Sequence, residues 1–437
     1  MIFKRKDDKI NKSKEIIKRE KEKIRLEKRK RFYDTALGKK IFKRKKIDDL
    51  PIKEQFVSMV YFEILGIILC LLILFVLSGG RNYFKLYYDL RKLINVYDTV
   101  TSNYYGDIDK NKMIDSAIES MLNEAGDSYT TYSNKKDTQS FLENMDSTYE
   151  GFGCTVATNI SNEIYVVSLF ENSPAAAAGL QKDDVILKID GISFEGKTSE
   201  DMSNYVKNSK KSKITVVIRR KDEEKELTVN RKKIEIPTVE GKVIDNTEIG
   251  YIQINVFSAV TSEQFKKELI NLEKEKIKGL IIDVRGNSGG YLSSVTDISS
   301  MFLKKGDIIY QLENGSKIEK IKDKTKESRS YPVAVIVNAA SASASEILAS
   351  AMKESYHGLV VGTNTYGKGT VQKTKQLKDG TMIKYTVQKW LTPKGNWINE
   401  IGVTPTDFVE YKTATETEVT SDRQLQKAID LIAEKLK

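Results

Sequence analysis

The chain of 437 residues contains one histidine, His357, so a serine hydrolase built on it would use lysine rather than histidine as its base. It has two cysteines, Cys70 and Cys154, too few for a disulfide framework. Cys70 lies inside an apolar run, so the two are not expected to pair, and two thiols carry no information on redox compartment. A GK[ST] ending is missing from its glycine-rich loop, RGNSGG at 285–290, which excludes a P-loop. A basic working domain is also missing. The net charge is +11, but residues 1–50 hold 21 Lys/Arg and 9 Asp/Glu, a net of +12, which leaves −1 for the remainder. The basicity belongs to a tail.

With 40% apolar residues, the chain is long enough for two or three domains. Residues 56–78 read FVSMVYFEILGIILCLLILFVLS, with Glu63 as the one charge. As a helix this run spans about 35 Å, enough for a hydrocarbon core of roughly 30 Å. Glu63 weakens its first third, and residues 64–77 are uninterrupted. Basic residues crowd positions 39–46, whereas only Arg81 and Lys85 follow closely. The positive-inside rule therefore puts residues 1–55 in the cytoplasm and the C-terminal bulk outside. A cleaved signal peptide is the competing reading, but its basic region would be too long and SGGRN is a poor cleavage site. Residues 9–31 read as a solvated or lipid-skimming helix, so the tail points to anionic lipid and no nucleic-acid partner is expected.

Helical spacing continues at 83–98 and 112–125, within a helical accessory region over 83–149. Residues 150–233 read as a compact β-rich module. Gly151-Phe152-Gly153 hinges into a strand, SPAAAAGL starts a short helix, and DDVILKIDG alternates into a turn. A glycine loop before a strand edge suits capture of an extended peptide and its carboxylate. Region 234–411 alternates strands (250–256, 279–284, 333–337, 359–361, 382–387) with helices, which argues for α/β layering. Residues 412–437 form a tail with a helix at 423–436.

Chemistry is best built on loops at strand ends. In RGNSGG, glycines free backbone N–H groups to meet an anion. In NAASASASEI, small residues let a substrate approach, and three serines alternate: Ser341, Ser343 and Ser345. Composition does not choose among them. In TYGKGTVQ, Lys368 sits among small or apolar neighbours, which permits burial and a lowered pKa. Gln372 can hold an amine without adding charge. His357 reads as a surface or turn residue.

The order GFG, SPAAAAGL, DDVILKIDG resembles a PDZ domain. That implies a carboxylate-binding loop at Gly151, Phe152 and Gly153. IKGLIIDVRGNSGG, SASASEILASAMK and VGTNTYGKGTVQ, with GDSYTTYS at 126–133 and the later LTPKGNWINEIGVTPT, resemble the carboxyl-terminal processing proteases, tail-specific serine/lysine peptidases of the S41 type. Ala340 and Ser288 stand where that family often has glycine and proline. The resemblance implies Ser343 as nucleophile, Lys368 as general base, Gln372 as its orienting partner, and the N–H groups of Gly289 and Ala344 as oxyanion hole. No cofactor or metal is expected. The implied fold is multidomain α+β: a helical accessory region, a PDZ-like β-rich module, a crotonase/ClpP-like α/β protease core and one transmembrane helix. The implied activity is a membrane-anchored serine endopeptidase, its catalytic domain extracytoplasmic. It would act on proteins or peptides with exposed C-termini and touch lipid through 56–78 and the basic tail, with a homo-oligomer left open. A catalytically inactive membrane-anchored PDZ scaffold is the alternative from another class. An acyl-CoA-handling enzyme on a crotonase-like core is disfavoured by the Lys/Gln pair and the PDZ-like module.

Overall fold

The computed structural model describes residues 20–21, 23–25, 27, 51–77, 83–410 and 422–437. The helix expected over 9–31 falls mostly outside them. The chain divides into two units, Met1–Lys110 and Asn111–Lys437. The first holds helices Ile52–Leu77 and Tyr83–Asn103, the latter longer than its apolar spacing predicts. Phe56, Leu65, Ile68 and Leu72 of the first helix are all exposed. Among the described residues no helix is long and apolar enough to cross a membrane. The expected anchor at 56–78 is therefore not established by the fold.

The second unit is built on a six-stranded sheet that follows chain order: β1 (Val239–Val243), β2 (Ile249–Ile254), β3 (Gly279–Asp283), β4 (Val333–Val337), β5 (Leu359–Gly362) and β6 (Asp407–Phe408). β1 is antiparallel to β2, and the later pairs are parallel. Parallel neighbours need crossovers. Helix Thr261–Lys274 joins β2 to β3, and helix Ala344–Glu354 joins β4 to β5. Strand VAVIV is wholly apolar and GLIID is apolar up to Asp283 at its end; both are buried on both faces, as such runs require. Leu280, Ile282, Val333 and Val335 face the crossover helices. Ile281, Ala334 and Ile336 face the other way, onto Ala428 and Ile432 of the C-terminal helix Arg423–Lys435. Gly279 allows that helix to come close, since a Cβ there would collide with the Ile432 side chain.

A second sheet centres on the long strand Met382–Leu391. It pairs with Thr370–Gln376, with Ile308–Asn314 and with Thr131–Ser133. This last pairing corrects the expected helical accessory region 83–149. Thr131, Tyr132 and Ser133 lie opposite Lys384, Ile383 and Met382, so part of that region belongs to the core. A strand of three residues has no periodicity to show; distant pairing makes it. Helix Lys135–Asp146, started by the Asn134 side chain, follows within the stretch expected to be helical, beyond the two helices read at 83–98 and 112–125.

The PDZ-like module sits on a two-stranded stem. Thr148–Gly151 enters it and pairs antiparallel with Lys232–Glu235, which leaves it. Between them lies a sheet packed around Phe152, Ile164, Val166, Ile186, Ile214 and Val216. Ser173 caps helix Pro174–Ala177, and Thr198 and Asp201 form a capping box on helix Ser199–Asn208.

Candidate active site

Strand β4 ends at Val337 and the chain turns sharply into helix Ala344–Glu354, with Ser343 at the turn. Ser343 has φ 54 and ψ −111, a conformation that costs a non-glycine residue energy and so needs support. Its N–H donates to Glu346 Oε2 at 2.8 Å. Ser341 and Ser345 are buried, and their hydroxyls donate to the backbone carbonyls of Val284 and Asn287, each at 2.8 Å. Of the three serines, Ser343 lines the cleft. Geometry thus separates residues that composition leaves equivalent.

Glu346 holds the second loop as well. Its carboxylate is fully buried and accepts from Thr365 Oγ1 at 2.6 Å, Gly367 N at 2.7 Å and Lys368 N at 2.9 Å. One carboxylate therefore fixes the backbones of both Ser343 and Lys368. The lysine loop is clamped from its other side by the chain's two tryptophans. Trp390 Nε1 donates to Lys368 O at 2.7 Å, and Trp397 Nε1 to Gly369 O at 3.0 Å. Burial lowers the Lys368 pKa, and the like charge of Lys384 lowers it further; Glu346 and Asp127 oppose both. The net direction is toward a neutral amine.

The glycine loop closes the site. Gly289 has φ 105, and a Cβ there would lie 2.8 Å from Ser343 Cβ and 3.0 Å from Ala344 N, so only glycine fits beside the serine turn. Its N–H does not stand free as the oxyanion reading expects: it donates to Asn287 Oδ1 at 2.9 Å. Asn287 is fully buried, donates to Ile254 O at 2.8 Å, and accepts from Ala342 N and Ser345 Oγ through its carbonyl. It stitches the glycine loop to the serine turn. Gln372 likewise departs from expectation. Its amide donates to Thr370 Oγ1 at 2.9 Å and Thr386 Oγ1 at 3.1 Å, not to the lysine. Among the described residues no hydrogen bond joins Ser343, Lys368 and Gln372 to one another, although all three line one cavity of about 580 Å³. Phe141, Leu142, Met145, Leu292, Val371 and Trp390 give that cavity an apolar wall. The bonds made by Gly289 N–H and by the Gln372 amide, to Asn287 Oδ1 and to two threonine hydroxyls, join neutral groups.

His357 is exposed, with φ 63, in the connection between helix Ala344–Glu354 and β5, and does not line the cavity. In the PDZ-like module, Phe152 is buried in the core, Gly153 has φ 76, and the carbonyls of both are spent inward on Ala175 N and Phe170 N at 2.9 Å. The Tyr149 ring packs against Gly151.

Sequence reasoning passed over Glu346, Asn287, Tyr129 and the tryptophans. Glu346 had a signal: S-x-x-E from Ser343 is a capping-box pattern at the start of a helix. Asn287 had none beyond its place in RGNSGG. Among the described residues no cluster of His, Cys, Asp or Glu suits a metal ion.

Residues 248–409 match peptidase family S41, residues 150–230 match the PDZ domain, and residues 79–138 match the activating protease CtpB N-terminal domain. The chain is 40% identical over 321 residues to the carboxy-terminal processing protease CtpB of Bacillus subtilis (strain 168), covering 72% of this chain and 66% of that protein. It is 35% identical over 320 residues to a probable CtpA-like serine protease of Staphylococcus aureus (strain COL), covering 72% and 64%. The chain thus spans just under two thirds of the length of these relatives. Among solved structures it is similar to a photosystem II D1 C-terminal processing protease, with a TM-score of 0.43 and 25% identity over 76% of this chain and 88% of that one.

Proposed function

We propose that this member of peptidase family S41 is a serine endopeptidase that engages the C-terminal tails of proteins through its PDZ domain and cleaves them with Ser343 and Lys368. The observation that carries the reading is the shared carboxylate of Glu346. It brings a strained serine turn and a partly buried, pKa-lowered lysine to one apolar-walled cleft. Neutral Lys368 takes the proton from Ser343 Oγ as that oxygen attacks the peptide carbonyl. The oxyanion is met by Ala344 N–H and by Gly289 N–H, which exchanges Asn287 Oδ1 for it; one such donor is typically worth about 3 kcal/mol. Lys368 then protonates the leaving amine, and water releases the acyl group. Gln372 turns from Thr370 and Thr386 to the lysine as the site aligns. The apolar wall suits an apolar side chain next to the scissile bond.

The apolar run of the sequence at 56–78 and the basic residues ahead of it support a single membrane anchor, N-terminus cytoplasmic, with the catalytic unit outside.

The engaged Gly289 N–H and the unjoined Ser343 and Lys368 are also what an inactive PDZ scaffold would show. A fluorophosphonate probe on the purified chain separates the two readings. Labelling of wild type, and its loss in both Ser343→Ala and Lys368→Ala with melting intact, is the expected result. An unlabelled wild type that also fails to cleave peptides favours the scaffold.

A further inference from the structure

The Lys368 side chain lies against an aromatic face supplied from far outside the peptidase match. Its Nζ is 4.6 Å from the centroid of the Tyr129 ring. Tyr129 lies within 79–138, the stretch that matches a separate N-terminal domain, whereas the peptidase match begins at 248. The turn that carries it is firmly built. Asp127 accepts from Tyr129 N at 3.0 Å and from Thr130 Oγ1 at 2.8 Å. Thr130 Oγ1 in turn accepts from Thr386 N at 3.2 Å, and the next three residues pair with Met382–Leu391. The turn is thus tied to the strand that flanks Thr370–Gln376, which leads away from Lys368. Burial and the hydroxyl of Tyr366 push the Tyr129 phenol up to about 12, so it stays neutral and presents a ring face without adding charge.

We propose that Tyr129 is a positioning residue for the lysine base: its ring face fixes the Lys368 amine beside Ser343 and keeps water from it. This rests on the Ser343/Lys368 reading. The other groups acting on the amine are Lys384 from the long strand, Glu346 from the helix that follows Ser343 and Asp127 from the same turn; Tyr366 from the lysine loop acts on the Tyr129 hydroxyl. Against that background the ring attracts the ammonium more than the free amine. Replacing it by an apolar group of similar reach keeps the burial, removes the attraction and loosens the amine.

The test measures kcat/KM of the full chain in detergent on a quenched fluorescent peptide, from about pH 5 to pH 10. It compares wild type, Tyr129→Phe, Tyr129→Leu and Lys368→Ala, with thermal melts of each. Tyr129→Phe keeps the ring and should retain at least about half the rate. Tyr129→Leu should lose about tenfold, and its acid limb should move down by about half a pH unit. If the leucine variant does not melt cooperatively, Tyr129→Met takes its place with the same expectations. A leucine profile that superimposes on wild type, a loss of rate without movement of the limb, or a phenylalanine variant as damaged as the leucine one each overturns the role of the ring. An active Lys368→Ala overturns the dyad and this role together. An inactive Lys368→Ala with unshifted Tyr129 variants overturns this role alone.

Discussion

Burial and the nearby Lys384 charge disfavour protonation of Lys368, so its folded-state pKa lies below the ordinary 10.5. Between those two values the unfolded chain binds a proton that the folded chain does not, and stability rises with pH across that window. Below the folded value the penalty is fully present. Lys368→Met keeps the length and apolar stem of the side chain and removes the charge. Its melting midpoint should exceed wild type by about 2 °C at neutral pH. The gain should vanish as the pH approaches 10.5, where the unfolded lysine also loses its proton. Scanning fluorimetry at the two pH values checks this; a midpoint below wild type at neutral pH would show that the amine stabilises the fold. At this scale, the residue types of the site were legible but their relations were not. Ser341, Ser343 and Ser345 read alike until the Val284 and Asn287 carbonyls take the outer two. Tyr129 was visible only as part of GDSYTTYS, because its partner Lys368 lies far along the chain and only a fold brings them together.

The C-terminal helix Arg423–Lys435 is more than a tail. Its periodicity, with Leu425, Ala428, Ile429 and Ile432 on one stripe, announced a helix but not what the stripe would cover. In the fold it seals the second face of the parallel sheet. Its start is fastened by Arg285, whose guanidinium bridges Asp283 and Asp422, with Arg285 Nη2 at 2.6 Å and 2.7 Å from them. Arg285 is also the first residue of the glycine loop, so the helix start and that loop share an anchor. Ile432 is fully buried, and Ile432→Ala removes packing that neighbouring strands cannot refill. The expected cost is about 2–4 kcal/mol. Urea unfolding should show a lower midpoint at an unchanged slope. A midpoint within error of wild type would mean that the helix rests on the sheet without stabilising it. Sheet strands such as GLIID and VAVIV were legible because double burial makes them short apolar runs, broken only by Asp283 at the end of the first. Thr370–Gln376 was not, since its exposed lysines hide the alternation and pairing with Met382–Leu391 defines it.

On the scale of the whole second unit, the PDZ domain is joined to the cleft by two routes. The stem strand Thr148–Gly151 begins just after helix Lys135–Asp146, whose Phe141, Leu142 and Met145 line the cavity. Lys207, on the domain's helix Ser199–Asn208, reaches Glu143 on that same cleft helix at 2.8 Å. The stem pairs residues too far apart for any local pattern, so the module's contents were legible and its mounting was not. The two routes place the Gly151–Gly153 loop and the cleft at opposite ends of one short connection. A tail held at the loop would feed a segment further up the chain toward Ser343. The terminal carboxylate is then a recognition group, held by N–H donors in bonds to a charged group worth about 1.5–3 kcal/mol. Two peptides that differ only in a C-terminal acid or amide, with the cleavage point well upstream, isolate that contribution. The acid should be cleaved with kcat/KM about 10- to 100-fold higher. The difference should lie mainly in KM if the loop only binds, and in kcat as well if its occupation draws Gly289 N–H from Asn287 and aligns the lysine. Equal kcat/KM for the two peptides would show that Gly151, Phe152 and Gly153 do not read the tail, and that substrates enter the cleft without the PDZ domain.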